Sequence, residues 1–379
     1  MTLAILTALL HAYIGWRIVP ALAEPWAATA FATLLVLSAV LMPFGLWARR
    51  IPSQPLSDRL AWAGLLSMGL FSSLLVLTLA RDVLLLAAVA IGSFRPDAFS
   101  LDAFAALSAA FVPLLGLGVT LLGFVNARRT AAVVTVDVPI ADLPEALHGF
   151  TIAQISDLHI GPTIKRRYLD RVVDAVNRIG ADMVAVTGDL VDGSVAQLAV
   201  HVAPLERLAS RHGTFFVTGN HEYYSGAPAW IVELRRIGLC VLLNEHVVLR
   251  HDTVSLVVAG DTDFGAHHYG EHHRSDPAAA LAGAPAGASV RVLLAHQPRS
   301  AMAAAEAGFD LQLSGHTHGG QFVPWNFLVR LQQPFTAGLH RWRALWVYTS
   351  RGTGYWGPPK RLGAPSEITR LRLVPAGAA

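Results

Sequence analysis

Residues 183–189 read MVAVTGD, an apolar run that passes without alternation into a glycine and an acid. Such a run suits a strand buried on both faces, with its chemistry placed where the strand ends. The same construction recurs along the chain. Asp157 and His159 follow the run Ile152–Ile155, and Asn220 and His221 follow Phe215, Phe216 and Val217 in GNHE. His296 follows Val290–Leu294, and His316 and His318 follow Leu311–Leu313 in SGHTHGGQ. Loops at one edge of a largely parallel sheet point into a shared crevice, so these clusters are expected to converge. Carboxylate, imidazole and amide-oxygen donors in that number suit a dinuclear site for hard or borderline divalent metals.

Outward from this core the pattern stays α/β. Strands are expected at Val133–Val138, Thr151–Ser156, Met183–Thr187, Thr214–Thr218, Val254–Ala259, Val290–Ala295, Leu311–Ser314, Leu345–Thr349 and Ile368–Val374. Helices are expected at Lys165–Ile179, Val195–Arg211, Ala229–Ile237 and Arg299–Ala307, the first with Leu169, Val172, Val173 and Val176 at helical spacing. The Ala-, Gly- and Pro-rich stretch Pro277–Ala288 reads as a surface excursion.

The first third of the chain differs. Four apolar runs, Leu3–Leu22, Trp26–Trp47, Leu60–Gly92 and Ala103–Val125, each reach the roughly 20 residues needed to cross a hydrocarbon core. With 53% hydrophobic and 15% charged residues among 379, and mean hydropathy +0.46, a wholly water-soluble or disordered chain is excluded. The reading divides the chain into a transmembrane domain at 1–127, a linker and first strand at 128–149, and a catalytic domain at 150–379. Arg49, Arg50 and Arg59 lie between spans two and three, and Arg128 and Arg129 follow span four. The positive-inside rule therefore puts both ends in the cytoplasm, the bacterial cytoplasmic membrane being the expected location. Arg17 argues weakly against that sidedness. Arg81 and Asp82 interrupt the third run, and the favoured reading ends the span near Ala80, leaving both at the interface.

Net charge is +3, Lys165 and Lys360 are the only lysines, and no basic block argues for nucleic acid. The single cysteine, Cys240, rules out an internal disulfide.

Taken in order, D-x-H, G-D, G-N-H-E, H and G-H-T-H resemble the calcineurin-like metallophosphoesterase superfamily. GNHEYYSG, GHTHGGQ and GTGYWGPPKRLGAPSEI look like its membrane-associated phosphodiesterase branch, which includes YaeI and YkuE proteins. The resemblance covers about 150–374 and implies a four-layer αββα sandwich. It implies that Asp157, His159 and His318 bind one divalent metal, that Asn220, His296 and His316 bind a second, and that Asp189 bridges both. The metals would be manganese, iron or zinc, and a hydroxide shared between them would attack phosphorus. His221 would stabilise the transition state or protonate the leaving group.

Three further features stand outside the motifs. His267, His268, His272 and His273 form a second cluster, read first as a solvated loop and second as a metal trap. Lys165, Arg166 and Arg167 begin a helix where positive charge opposes its dipole, which favours contact with substrate phosphate or anionic lipid. The apolar segment Gln321–Leu339, with Trp325 and Phe327, is expected either to lie against the bilayer and admit a lipid-like phosphodiester or to pack beneath the sheet. The expected activity is hydrolysis of a phosphodiester or pyrophosphate in a lipid-linked or nucleotide-linked substrate. A phosphomonoesterase, or a membrane sensor or transporter with a regulatory phosphoesterase domain, are the alternatives.

Overall fold

The structure, a computed structural model, describes residues 2–48, 51, 53–95 and 100–377. Arg49 and Arg50, used by the charge rule above, lie outside the described residues. The chain divides into two compact units, Met1–Arg128 with Gly357–Leu362, and Arg129–Trp356 with Gly363–Ala379.

The first unit contains four helices long and apolar enough to cross a membrane: α1 (Thr2–Ile18), α2 (Pro25–Trp47), α3 (Gln54–Phe94) and α4 (Leu101–Arg128). Ile14, Ile18, Phe31, Leu35, Leu74, Ala109 and Val112 form its core. Many other large apolar side chains, among them Val83, Leu114 and Leu121, are exposed, as surfaces facing hydrocarbon would be. α2 and α3 approach backbone to backbone at Gly45 and Gly64, where a Cβ on either glycine would collide with the other's main chain. Gly64→Val should therefore lower the thermal midpoint of detergent-purified protein by on the order of 5 °C, and an unchanged midpoint would show that the close approach carries no stability.

The helix itself does not break near Ala80, where the membrane span was expected to end. α3 runs unbroken through Arg81 and Asp82 because both have partners. Asp82 accepts from Arg17 Nε at 2.9 Å and from Tyr13 Oη at 2.6 Å, while Arg81 donates to Ser108 Oγ at 3.0 Å and to the carbonyls of Arg17 and Ala105 at 3.2 and 3.0 Å. Such pairing makes these charges less costly in apolar surroundings. Arg17, the residue at odds with the charge rule, is thereby explained as a partner of Asp82.

The second unit is an α/β sandwich of two six-stranded mixed sheets. One sheet has the order β1 (Ala132–Ile140), β12 (Glu367–Pro375), β2 (Thr151–Ile155), β3 (Met183–Val186), β4 (Thr214–Phe216) and β5 (Cys240–Val241), with β2 to β5 parallel. The other has the order β10 (Gly338–Trp342), β11 (Leu345–Thr349), β9 (Leu311–Ser314), β8 (Val290–Leu294), β7 (Val254–Gly260) and β6 (Glu245–His251), with β11, β9, β8 and β7 parallel. The core between them contains Ile152, Met183, Phe215, Val258, Val292, Leu313 and Leu371. Val184 and Val186, pointing to the opposite face of β3, are also fully buried, which is why that strand shows no alternation.

Around the sheets lie α5 (Arg166–Asn177), α6 (Val195–Val202), α7 (Asn220–Ser225), α8 (Ala227–Arg236), α9 (Pro277–Leu281), α10 (Ala301–Ala307) and α11 (Trp325–Leu328). α9 and α10 cover the outer face of the second sheet through Ala280, Ala301 and Ala304. α5 buries its stripe of Leu169, Val172, Val173 and Val176.

Some elements depart from the sequence expectation. The helix expected over Val195–Arg211 is α-helical only to Val202, because Pro204 cannot continue it, and a tighter turn follows over Ala203–Arg207. The Pro277–Ala288 stretch opens with α9, in which Pro277 and Ala280 are buried, so it is not wholly a surface excursion. β6 and β10 were not expected. They are half-exposed edge strands whose charged and histidine residues hide the apolar run.

Candidate metal centre

The ends of β2, β3, β8 and β9, and the start of α7 just after β4, bring the motif residues together. Three groups of side chains place potential donor atoms within 4.8 Å of one another: Asp157, His159 and His318; His159, Asp189 and His221; and Asp189, His296 and His316. The first and third match the two sets that the family resemblance implies, and Asp189 and His159 link all three groups. Asn220 completes the set differently. Its Oδ1 is buried and has no hydrogen-bond partner, an arrangement that is costly unless a cation takes the lone pair.

Distances are short throughout. Asp189 Oδ2 is 3.1 Å from His296 Nε2, 3.9 Å from His159 Nε2 and 4.0 Å from His221 Nε2. His159 Nε2 is 3.0 Å from His318 Nε2, which is 3.4 Å from Asp157 Oδ1. His296 Nδ1 donates to the Thr187 carbonyl at 2.8 Å, which leaves Nε2 facing the centre. His316 Nδ1 is 3.2 Å from that Nε2. The backbone is strained where it aims these groups: Asp157, His159, Asp189, His316 and His318 all have positive φ, between 50° and 69°. Close approach is needed as well, since a Cβ at Gly219 would run into the Asp189 carboxylate and one at Gly315 into that of Asp157.

The electrostatics favour cations. Burial would discharge Asp189, yet the imidazoles of His296, His221 and His159 hold it well below the usual carboxylate range. Burial would likewise lower His296 and His221, yet Asp189 and its neighbours raise both, His221 to about 9. His316 moves the other way, to about 3, through burial and the charge on His296. A site whose carboxylates pull imidazoles into the charged form is one that divalent cations would satisfy in their place. Donor set, orphaned amide oxygen and field all fit two such ions.

Residues outside the expected set shape the centre. Asp192 Oδ1 lies 2.5 Å from His221 Nδ1 and 3.4 Å from His159 Nδ1, and despite burial these two imidazoles keep its carboxyl far below its ordinary value. Glu222 accepts from the amides of Gly219 at 2.7 Å, Asp189 at 3.0 Å and Leu190 at 2.7 Å, tying the GNHE turn to the TGD turn. Burial pushes Glu222 up to about 7. Asp261 and Asp263 follow β7 and are buried, Asp263 accepting from Gln297 Nε2 at 2.9 Å. The sequence carried signals for these: a second acid three residues after Asp189, the E of GNHE, and D-T-D at yet another strand end. Glu222→Gln would turn an amide donor toward the amides that Glu222 now receives, costing about 2 kcal/mol, and should lower the denaturation midpoint even without metal. An unchanged midpoint would remove Glu222 from this bracing role.

Other expected residues fall elsewhere. Arg166 donates to the Val200 carbonyl at 3.4 Å and pairs with Asp170 at 3.8 Å, Lys165 caps α5, and Arg167 is exposed. None of the four loop histidines His267, His268, His272 and His273 joins a three-donor group among the described residues, which favours the solvated-loop reading over the metal trap. Trp325 and Phe327 are exposed, at 37% and 63%, whereas Phe322 is buried and Phe335 packs on the second sheet.

Residues 150–320 match the calcineurin-like phosphoesterase family. A metallophosphoesterase of Aquifex aeolicus is 34% identical over 229 residues, covering 60% of this chain and 85% of that protein. The chain belongs to the calcineurin-like metallophosphoesterase family. A protein of Bos taurus named "Transmembrane protein with metallophosphoesterase domain" is 40% identical over 283 residues, 72% of this chain and 63% of that one. The metallophosphoesterase YkuE of Bacillus subtilis is 28% identical over 61% of this chain and 81% of its own length. The chain thus spans somewhat less than two thirds of the Bos taurus relative. The chain carries both a metallophosphoesterase domain and four membrane-length helices, and the bovine relative is also named a transmembrane protein.

Proposed function

We propose that the protein is a membrane-anchored, metal-dependent hydrolase of phosphodiester or pyrophosphate bonds. The observation that carries this is the Asp189 carboxylate, which shares one donor group with His159 and His221 and another with His296 and His316. Asp157, His159 and His318 would hold one divalent ion, Asn220, His296 and His316 the other, and Asp189 both. Ions there would supply Lewis acidity and neutralise charge building on the phosphoryl oxygens.

The chain's own groups do the rest. His221 is held by Asp192 through Nδ1, which leaves Nε2 to hydrogen-bond a phosphoryl oxygen or to give a proton to the departing oxygen. Asp189 and Asp192 together favour the charged form of that imidazole, and the buried walls keep the field strong. The arginines Arg59, Arg128 and Arg129 at the helix ends support a cytoplasmic position for the domain, in the bacterial cytoplasmic membrane if the source is bacterial.

Detergent-purified protein with manganese is expected to cleave bis(p-nitrophenyl) phosphate at least tenfold faster than p-nitrophenyl phosphate. Faster monoester cleavage would instead make it a phosphomonoesterase, and no metal-stimulated turnover of either would favour the regulatory reading. The exposed apolar face of Trp325, Phe327, Leu328 and Leu331 supports a lipid-bearing substrate. Replacing Trp325 and Phe327 by Ser should lower turnover of a phospholipid diester in mixed micelles about tenfold while sparing bis(p-nitrophenyl) phosphate. Equal loss on both would remove the lipid contact.

A further inference from the structure

Beside His221 the centre opens onto aromatic rings that the metal chemistry does not require. The ring of Tyr224 lies 5.1 Å from that of His221, and the ring of Trp356 lies 6.0 Å from it. Tyr269 stands 6.3 Å from Tyr224. These three rings are 61%, 52% and 54% exposed, unusual for large aromatics held in fixed positions.

They are held, not loose. Gln321, at the end of GHTHGGQ, accepts from the Trp356 amide at 2.8 Å and donates to the Trp356 carbonyl at 2.9 Å. Tyr269 rests at 5.4 Å on the ring of buried Tyr223, whose hydroxyl lies 3.2 Å from His273 Nδ1. His273 in turn has its carbonyl bound by Thr262 at 2.7 Å. The second histidine cluster therefore has a structural use: through His273 it helps seat Tyr269. Around Tyr224 and Tyr269 the surroundings are polar, with exposed His268, Glu271, His272 and Arg274, and no exposed aliphatic side chain occurs at 219–226 or 260–276. An acyl chain would want aliphatic walls such as those at Val323–Leu331. A flat π-system with polar edges matches tyrosine and tryptophan rings rimmed by imidazoles.

We propose that Tyr224, Tyr269 and Trp356 form a platform that stacks a planar aromatic ring, such as a nucleobase, carried on one arm of the phosphoester held beside His221. This rests on the phosphoesterase reading and adds the substrate class: the platform selects nucleoside-bearing phosphoesters. Stacking of a base on such rings is worth roughly tenfold or more in affinity.

The test is calorimetric titration of full-length, manganese-loaded protein in detergent with thymidine 5′-monophosphate and with methyl 2-deoxyribofuranoside 5-phosphate, in which a methoxy group replaces the base. Thymidine 5′-monophosphate should bind at least tenfold tighter, and Tyr224→Leu combined with Trp356→Leu, which keeps apolar bulk but removes the rings, should bring the two ligands to within about twofold. Equal affinity in the wild type, or equal weakening of both ligands in the variant, would overturn the platform. Tighter binding of a dialkyl phosphate than of either would replace it with a lipid site. The diesterase assay separates the two ideas: turnover of bis(p-nitrophenyl) phosphate without base preference leaves the phosphoesterase reading standing alone, and base preference without turnover leaves only the platform.

Discussion

Asp189→Asn should reduce metal-stimulated turnover of bis(p-nitrophenyl) phosphate by on the order of a thousandfold, with the circular dichroism spectrum unchanged. Asparagine keeps the shape of the side chain and loses its charge. That charge is shared: Oδ2 faces His296, His159 and His221, and Oδ1 accepts the His221 amide at 2.8 Å. Two dications placed in the flanking groups would repel each other, and the carboxylate between them is what offsets the repulsion. The residue is 2% exposed, so solvent cannot substitute for it. A loss smaller than tenfold would mean that Asp189 serves only to fix the turn.

The second large effect is expected at Asp192, which touches His221 and not the reacting atoms. Asp192→Asn should lower kcat about a hundredfold with a much smaller change in KM, because the amide can no longer hold the His221 imidazole in its charged, oriented form. His221→Asn should cost a similar factor, and the double variant should be no slower than the worse single one. Independent, multiplying losses would show that the 2.5 Å contact is not a functional unit. Asp192→Glu, which restores charge at a longer reach, should recover part of the rate, an outcome that a purely structural role would not give.

How much of this was legible depends on what fixed each residue. The convergence of Asp157, His159, Asp189, His296, His316 and His318 was readable because donors for one centre must sit at the ends of neighbouring buried strands, and buried strands announce themselves as unbroken apolar runs. Asp192, Glu222 and Gln321 were not singled out. Their partners, the imidazole of His221, the amide of Leu190 and the backbone of Trp356, lie 29, 32 and 35 positions away, so apart from the bond that Glu222 receives from Gly219 nothing local marks the pairing. The partners of Asp82 were hidden for the same reason: a charge in an apolar run looks like a boundary until Arg17 and Tyr13, 65 and 69 positions away, are found beside it. Edge strands β6 and β10 escaped because an edge needs only one buried face, and its polar residues break the pattern that central strands display.

The central claim is that seven side chains make a two-ion site. Elemental analysis of purified protein, loaded with manganese and dialysed against metal-free buffer, measures it directly. Two ions per wild-type chain are expected, falling to one or fewer in Asp189→Asn. Fewer than two ions in the wild type, or two ions that survive Asp189→Asn, would contradict the account.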